Sequence, residues 1–124
     1  MEHKHIKTCS QGWAERAYKC VSNRAADESG RGKYCGFAKR FPSLIHTCGL
    51  AQALAFAGAN APAGFVADLE IVLGESGLGE RSRKAPVPEY LRLSRKALQA
   101  AGWLKRYAEA LLDSENGGAD ASLS

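Results

Sequence analysis

Chemistry at a protein surface needs polar side chains that converge, and this chain offers few sets with the required spacing. His3 and His5 form a His-x-His pair suited to two positions of a metal site, but no third ligand follows nearby. The pair reads as a solvated segment, and no metal is expected. His46 follows Ile45 with no Asp or Glu partner in register, so it reads as a packed or rim histidine and not as a general base. Gly30-Arg31-Gly32-Lys33 has the composition of a phosphate loop without its spacing. A Walker motif needs four residues between its glycines and Ser or Thr after Lys, whereas Tyr34 follows here. Ser43, Ser94 and Cys48 stand in no nucleophile elbow or triad setting. Asp68 and Glu70 are two apart on a predicted helix and face different directions. No catalytic residue, no cofactor and no enzyme activity are expected.

The basic residues say more. Between Arg81 and Arg106 stand eight Lys or Arg and one acid, Glu89, while residues 107 to 124 carry four acids and no Lys or Arg. Charge segregated by sign builds a field that a mixed surface lacks. On a helical wheel, Tyr90, Leu93, Ala97, Ala101, Leu104, Ala108 and Leu111 fill one side and must be core. Opposite them fall Arg92, Arg95, Lys96, Gln99, Trp103 and Arg106, a basic stripe with an aromatic inside it. Two readings stay open on these residues alone. Either Trp103 packs under the first helix while the cations keep the surface soluble, or the stripe is a phosphate-binding face whose guanidinium forks suit an RNA or DNA backbone. Arg31, Lys33, Lys39 and Arg40 form a second cluster that would extend the stripe.

The elements that must position these groups follow from composition and period. At 124 residues and 13.3 kDa the chain fits one domain with one core. Its 21 alanines and 13 leucines against 4 valines, 3 isoleucines and 2 threonines make an all-α composition. No apolar run reaches the ~18 residues that cross a membrane, so no membrane partner is expected. No apolar stretch with a small-residue cleavage site follows Met1, so the expected location is cytoplasmic. Cys9, Cys20, Cys35 and Cys48 form no C-x-x-C pair and read as free, structural thiols; Cys9 and Cys20 share one helix face.

The predicted organisation is a flexible segment over 1–8, a compact helical bundle over 9–112 with five to six helices, and a disordered acidic tail over 113–124. Trp13, Ala17, Cys20, Val21 and Ala25 mark an amphipathic first helix over 9 to 26, closed by a polar turn over 27 to 32. A second, roughly 33 to 48, carries Tyr34, Phe37, Phe41, Leu44, Ile45 and Cys48 on one face, with Pro42 kinking it or opening its second half. Residues 50 to 59 are nearly all apolar and are expected at the centre of the fold. Asn60 and Pro62 look like the cap and first turn of a helix that Gly74 ends. Residues 74 to 88, with three glycines and two prolines, read as a long mobile loop. The final helix, 90 to 112, is about 34 Å long at 1.5 Å per residue.

Three blocks resemble a known family, the small helical subunit of the type III-B CRISPR effector, the fifth subunit of the Cmr ribonucleoprotein complex. They are WAERAYKCVS at 13 to 22, FPSLIHTCGLAQALAF at 41 to 56 and YLRLSRKALQAAGWLKRYAEALL at 90 to 112, whose W-L-K-R segment is the most diagnostic. Ser94 stands where the pattern has Thr, and Gly102 where it has an acidic residue. The resemblance implies a compact all-helical subunit without catalytic activity, several copies of which stack as an inner filament. Its partners would be the backbone subunit, the large subunit, copies of itself, and the guide RNA with its target RNA. RNA cleavage would belong to the backbone subunits. Carried over by position, the RNA-binding residues would be Arg92, Arg95, Lys96 and Arg106, with Lys39 and Arg40 before the Phe-Pro pair. The alternative is a free-standing helical nucleic-acid-binding or adaptor protein, which the fifteen-residue loop before the last helix disfavours because a helix-turn-helix needs a short turn.

Overall fold

The computed structural model describes residues 9–112, with the side chains of residues 9 and 10 left aside. The expectations for residues 1–8 and 113–124, for His3 and His5 and for the Cys9 thiol lie outside the described residues. Among those described there are six α-helices and no strand: α1 (Cys9–Ala25), α2 (Arg31–Cys48), α3 (Leu50–Asn60), α4 (Phe65–Leu73), α5 (Leu78–Lys84) and α6 (Val87–Tyr107). The all-α single domain expected from composition is what forms.

α6 takes the central place. It packs against α1, α2 and α4, and buries Leu93, Ala97, Ala100, Ala101 and Leu104. Alanines at these positions let neighbouring helix axes come close, because interaxial distance follows the side chains at the contact. α2 runs antiparallel to α6: the Cys35 thiol donates to the Ala108 carbonyl at 3.5 Å, while Pro42 and His46 lie beside Leu98. α2 passes through Pro42 as one helix. On its inner face Phe37 meets Phe41, Phe56 and Phe65 at centroid distances of 5.0 to 6.1 Å, and Tyr34 meets Phe65 edge-on at 5.6 Å.

Five expectations need correcting. α3 is not central: it lies on the flank against α2 and α5, burying Leu50, Ala53, Leu54 and Ala57 while Phe56 is 43% exposed. Alanine lets a helix be apolar throughout without needing burial on every side. Asn60 does not open α4 but ends α3, its amide donating back to the Phe56 carbonyl at 3.2 Å. Ala61 is extended because Pro62 follows, and Gly64, not Asn60, leads into α4. Gly64 has φ +90°, a conformation that favours glycine, and a Cβ there would also push the Arg24 guanidinium aside. Cys48, expected on the apolar face, is exposed at the last turn of α2.

Residues 74 to 88 are not a mobile loop, because their centre is α5. Leu78 is fully buried, its amide donates to the Glu70 carboxylate at 3.0 Å, and the Ser82 hydroxyl donates to the Gly79 carbonyl at 2.7 Å. One anchored leucine outweighs the low helix propensity around it. The long helix begins at Val87, with Pro88 in its first turn, where a missing N–H costs nothing. At its other end Ala108–Leu112 form a π-helical turn. The wider turn shifts the register, so Leu112 is buried where Leu111 was expected and Leu111 is half-buried.

Candidate nucleic-acid interface

α6 positions the stripe because its opposite side is committed to the core. Arg92, Arg95, Gln99 and Arg106 are exposed, and Lys96 and Trp103 are half-buried. The structure therefore brings four of the six expected residues onto one helix face. No described acid lies within ion-pair distance of Arg92, Arg95 or Arg106. Lys96 differs: its ammonium lies 3.4 Å from Glu75, which also pairs with Arg81. Burial pushes the Glu75 carboxyl up, but the hydrogen bonds from Arg81 and Lys96 outweigh it and hold the group below the usual carboxylate range. Lys96 thus braces the α4–α5 turn as well as facing the stripe.

The same pairing thins the basic run. Arg81 binds Glu75 and Glu89, the latter at 3.0 Å, and Lys84 binds Glu80 at 2.8 Å, so the charge that remains for a partner is concentrated on α6.

Trp103 decides between the two readings of the stripe by satisfying part of each. It stacks on Tyr107 at 6.0 Å and 20°, and Tyr107 meets Tyr18 of α1 edge-on at 5.5 Å. The tryptophan buried under the bundle is Trp13, not Trp103. Arg106 lies over the indole with its guanidinium carbon 4.9 Å from the ring centroid.

On α2, Arg40 is exposed with its guanidinium 5.9 Å from the Phe37 ring, and Lys39 is half-buried on the face it shares with Pro42 and His46, which adjoin α6. Three shallow concavities connect the two helices: Ser43 and Thr47 line both the one beside Arg40 and the one beside Pro42 and His46, and Leu98 joins the latter to the one beside Trp103 and Arg106. Arg40 and Arg106 are therefore linked across one continuous surface. Arg31 belongs elsewhere, donating to the Ala25 carbonyl at 3.3 Å at the end of α1. His46 is exposed with no described carboxylate beside it, and no three His, Cys, Asp or Glu converge among the described residues.

One cluster escaped the sequence. Asp68, 4% exposed, accepts hydrogen bonds from Nε and Nη2 of Arg24 at 2.9 and 3.0 Å and from the Tyr34 hydroxyl at 2.5 Å. Arg24 also stacks over the Tyr34 ring at 5.4 Å. Burial raises the Tyr34 phenol, and the bond to Asp68 raises it further. Burial, then the neighbouring Asp68 charge, lift the Cys20 thiol to about 11, so it is inert at neutral pH. The available signal was position: Asp68 sits in the row Phe65, Leu69, Val72 that faces the core.

A single helical bundle whose core helix turns a basic, partly aromatic face outward is an all-α protein of the helical-bundle class. The chain belongs to the Cmr5 family: the model of CRISPR-associated protein (Cas_Cmr5) matches residues 9–111. It is 43% identical over 114 residues to the CRISPR system Cmr subunit Cmr5 of Thermus thermophilus, covering 87% of this chain and 99% of that protein. The crystal structure of a CRISPR-associated Cmr5 family protein from Thermus thermophilus superposes with a TM-score of 0.80 at 42% identity, over 86% of this chain and 99% of that one.

Proposed function

We propose that this chain is the non-catalytic small subunit of a type III-B CRISPR effector in the cytoplasm, supporting the guide RNA and target RNA duplex through its basic surface. The observation that carries this is the set of exposed guanidiniums, Arg92, Arg95 and Arg106, on the outer side of the core helix, within a family named for the Cmr complex. Lys39, Arg40 and Lys96 flank them. Guanidinium forks bind phosphate without reading bases, which suits a subunit that must accept every guide. Cleavage then belongs to other subunits, and the purified chain should show no nuclease or ATPase turnover.

Stacking of copies as an inner filament is supported by two unlike apolar surfaces. One is the groove of about 350 Å³ between α2 and α3, floored by Phe37, Phe41 and Phe56 with Arg40 at its rim. The other is Ile71 of α4, 52% exposed and flanked by Glu70 and Glu75. Two unlike faces suit a heterologous, propagating contact between copies. Phe56→Asp should therefore lower the number of copies per assembled complex, read by native mass spectrometry, while leaving the monomer helical. An unchanged copy number would remove this groove from the interface.

The alternative, a free-standing DNA-binding or adaptor protein, loses one argument against it, since α5 and α6 are joined by a short turn and not by a fifteen-residue loop. α6 nevertheless has α1, α2 and α4 along it, which leaves a strip and not the half-cylinder that enters a major groove. Affinity purification of the native protein separates the two. Guide RNA and the large subunit should come with it; recovery of the chain alone, or with duplex DNA, defeats the proposal.

A further inference from the structure

Phosphate contact leaves one feature of the α6 face unused. A concavity of about 350 Å³ opens there, lined by Leu98, Gln99, Gly102, Trp103 and Arg106. Gly102 makes its floor: a Cβ built at that position meets no atom within 4 Å, so the absent side chain leaves space that no neighbour fills. The indole of Trp103 forms one wall and is held by the ladder through Tyr107 to Tyr18. Arg106 brings a guanidinium to that indole, and exposed Gln99, one turn away from Trp103, brings an amide that both donates and accepts.

We propose that this concavity is a stacking site for one unpaired nucleobase of a single strand. A base has a flat π-face, a hydrogen-bonding edge and a phosphate attached, and the site holds a complement to each. The base enters between the indole and the Arg106 guanidinium, which covers that ring in the free chain and swings outward to take the other face of the base; the Gln99 amide takes the edge, and Arg95, one turn before Gln99, takes the phosphate. A purely apolar ligand would leave Gln99 and both arginines unmatched, and an acidic peptide would leave the ring unmatched. Its volume lies at the small end of ligand pockets, roughly 300–1,000 Å³, which suits one ring system and not a run of them. The inference rests on reading the basic face as a nucleic-acid surface, and adds a contact that a duplex cannot make, because paired bases stay within their own stack.

Intrinsic fluorescence tests it on the full chain. Of the two tryptophans, Trp13 is 6% exposed and beyond a ligand's reach, so quenching reports Trp103. The titrants are eight-nucleotide oligo(A) and oligo(U) as RNA, the corresponding DNA strands, and a blunt twelve-base-pair RNA duplex. Single strands should quench and the duplex should bind without quenching. Equal quenching by RNA and DNA means that the base alone is held; stronger quenching by RNA adds a 2′-hydroxyl contact. Trp103→Leu should weaken single-strand binding by roughly 5- to 100-fold and leave duplex binding within about twofold. Gly102→Leu fills the floor while keeping the indole and favouring the helix, and should abolish the quench. Duplex binding with no quench by any single strand, or a quench that survives Gly102→Leu, overturns the base site and leaves the phosphate face standing. Loss of all nucleic-acid binding by the native chain overturns both.

Discussion

Asp68→Ala is expected to cost about 3 kcal/mol of folding stability, the largest single-site loss at any polar residue of the bundle. The substitution strips the partner from a buried phenol and from a guanidinium that makes two charged hydrogen bonds. Removing one member of such a set costs roughly 3–5 kcal/mol when the remainder is fully buried. Arg24 keeps about a third of its side chain in water, 33% exposed, and can be rehydrated, which places the loss at the lower end. Tyr34 is 2% exposed and cannot be. In a domain of this size the midpoint of thermal unfolding should fall by about 10 °C. Asp68→Asn, which keeps an acceptor for Tyr34 but not the charge for Arg24, should fall between. Denaturation of the three proteins in parallel checks this, and a midpoint for Asp68→Ala within about 2 °C of the parent would mean that the network adds nothing.

The same cluster sets a pH dependence. Cys20, with an ordinary pKa of 9.0, is lifted in the fold to about 11, and Tyr34 is also raised. Between those values the folded chain holds a proton that the unfolded chain has lost, so stability is full below pH 9 and declines as pH rises through about 11. Glu75 acts at the other end. Its carboxyl is lowered, so the stability that it adds is present above its ordinary value of 4.5 and is lost on acidification through the folded value. Cys20→Ala should make the alkaline limb shallower, leaving the decline above pH 10 that the raised Tyr34 phenol sets, and should leave the acid limb alone.

The fold class was legible because Ala and Leu outnumber β-branched residues by enough to exclude a sheet, and the α6 stripe because a 21-residue helix samples its period many times. What stayed hidden depends on residues far apart in sequence. In sequence Lys96 is only a member of the basic stripe, and the fold sets it against Glu75; Asp68 is only an acid that faces away from Glu70, and the fold brings Arg24 and Tyr34 to it from two other helices. α5 looked like a loop because its flanking glycines and prolines dominate a local reading, while its helix is stabilised by one leucine and by a carboxylate on α4. α3 shows the opposite error, since an apolar composition made of alanines does not require a central position. Local period finds the elements, but pairing between elements decides which charges remain for a partner.

That pairing selects the charge reversal with the greatest leverage, Arg92→Glu with Arg95→Glu. Lys96 is left intact because Lys96→Glu would set a second carboxylate against Glu75 and disturb the α4–α5 turn. Arg106 is left because it covers the indole. Both chosen residues are exposed and opposite the core, so the variant should keep its helical content and its place in the assembly. Binding to phosphates releases counterions, with log K falling by ~0.7 to 0.9 per contact for each unit of log salt. Carried from 1 M to physiological ionic strength, each contact is worth roughly fourfold, so two lost contacts weaken capture on the order of tenfold per copy. A monomer binding in the non-specific range of about 10⁻⁴ to 10⁻⁶ M would register that single factor and no more. An assembly in which several copies follow one duplex multiplies it, because contacts along a common ligand add in free energy. Capture of target RNA by the assembled complex should therefore fall by orders of magnitude, with a shallower salt slope, and equally for unrelated guides because phosphates carry no sequence information. A variant complex of normal composition that captures target with the parent's affinity and salt slope would show that these arginines only keep the surface hydrated.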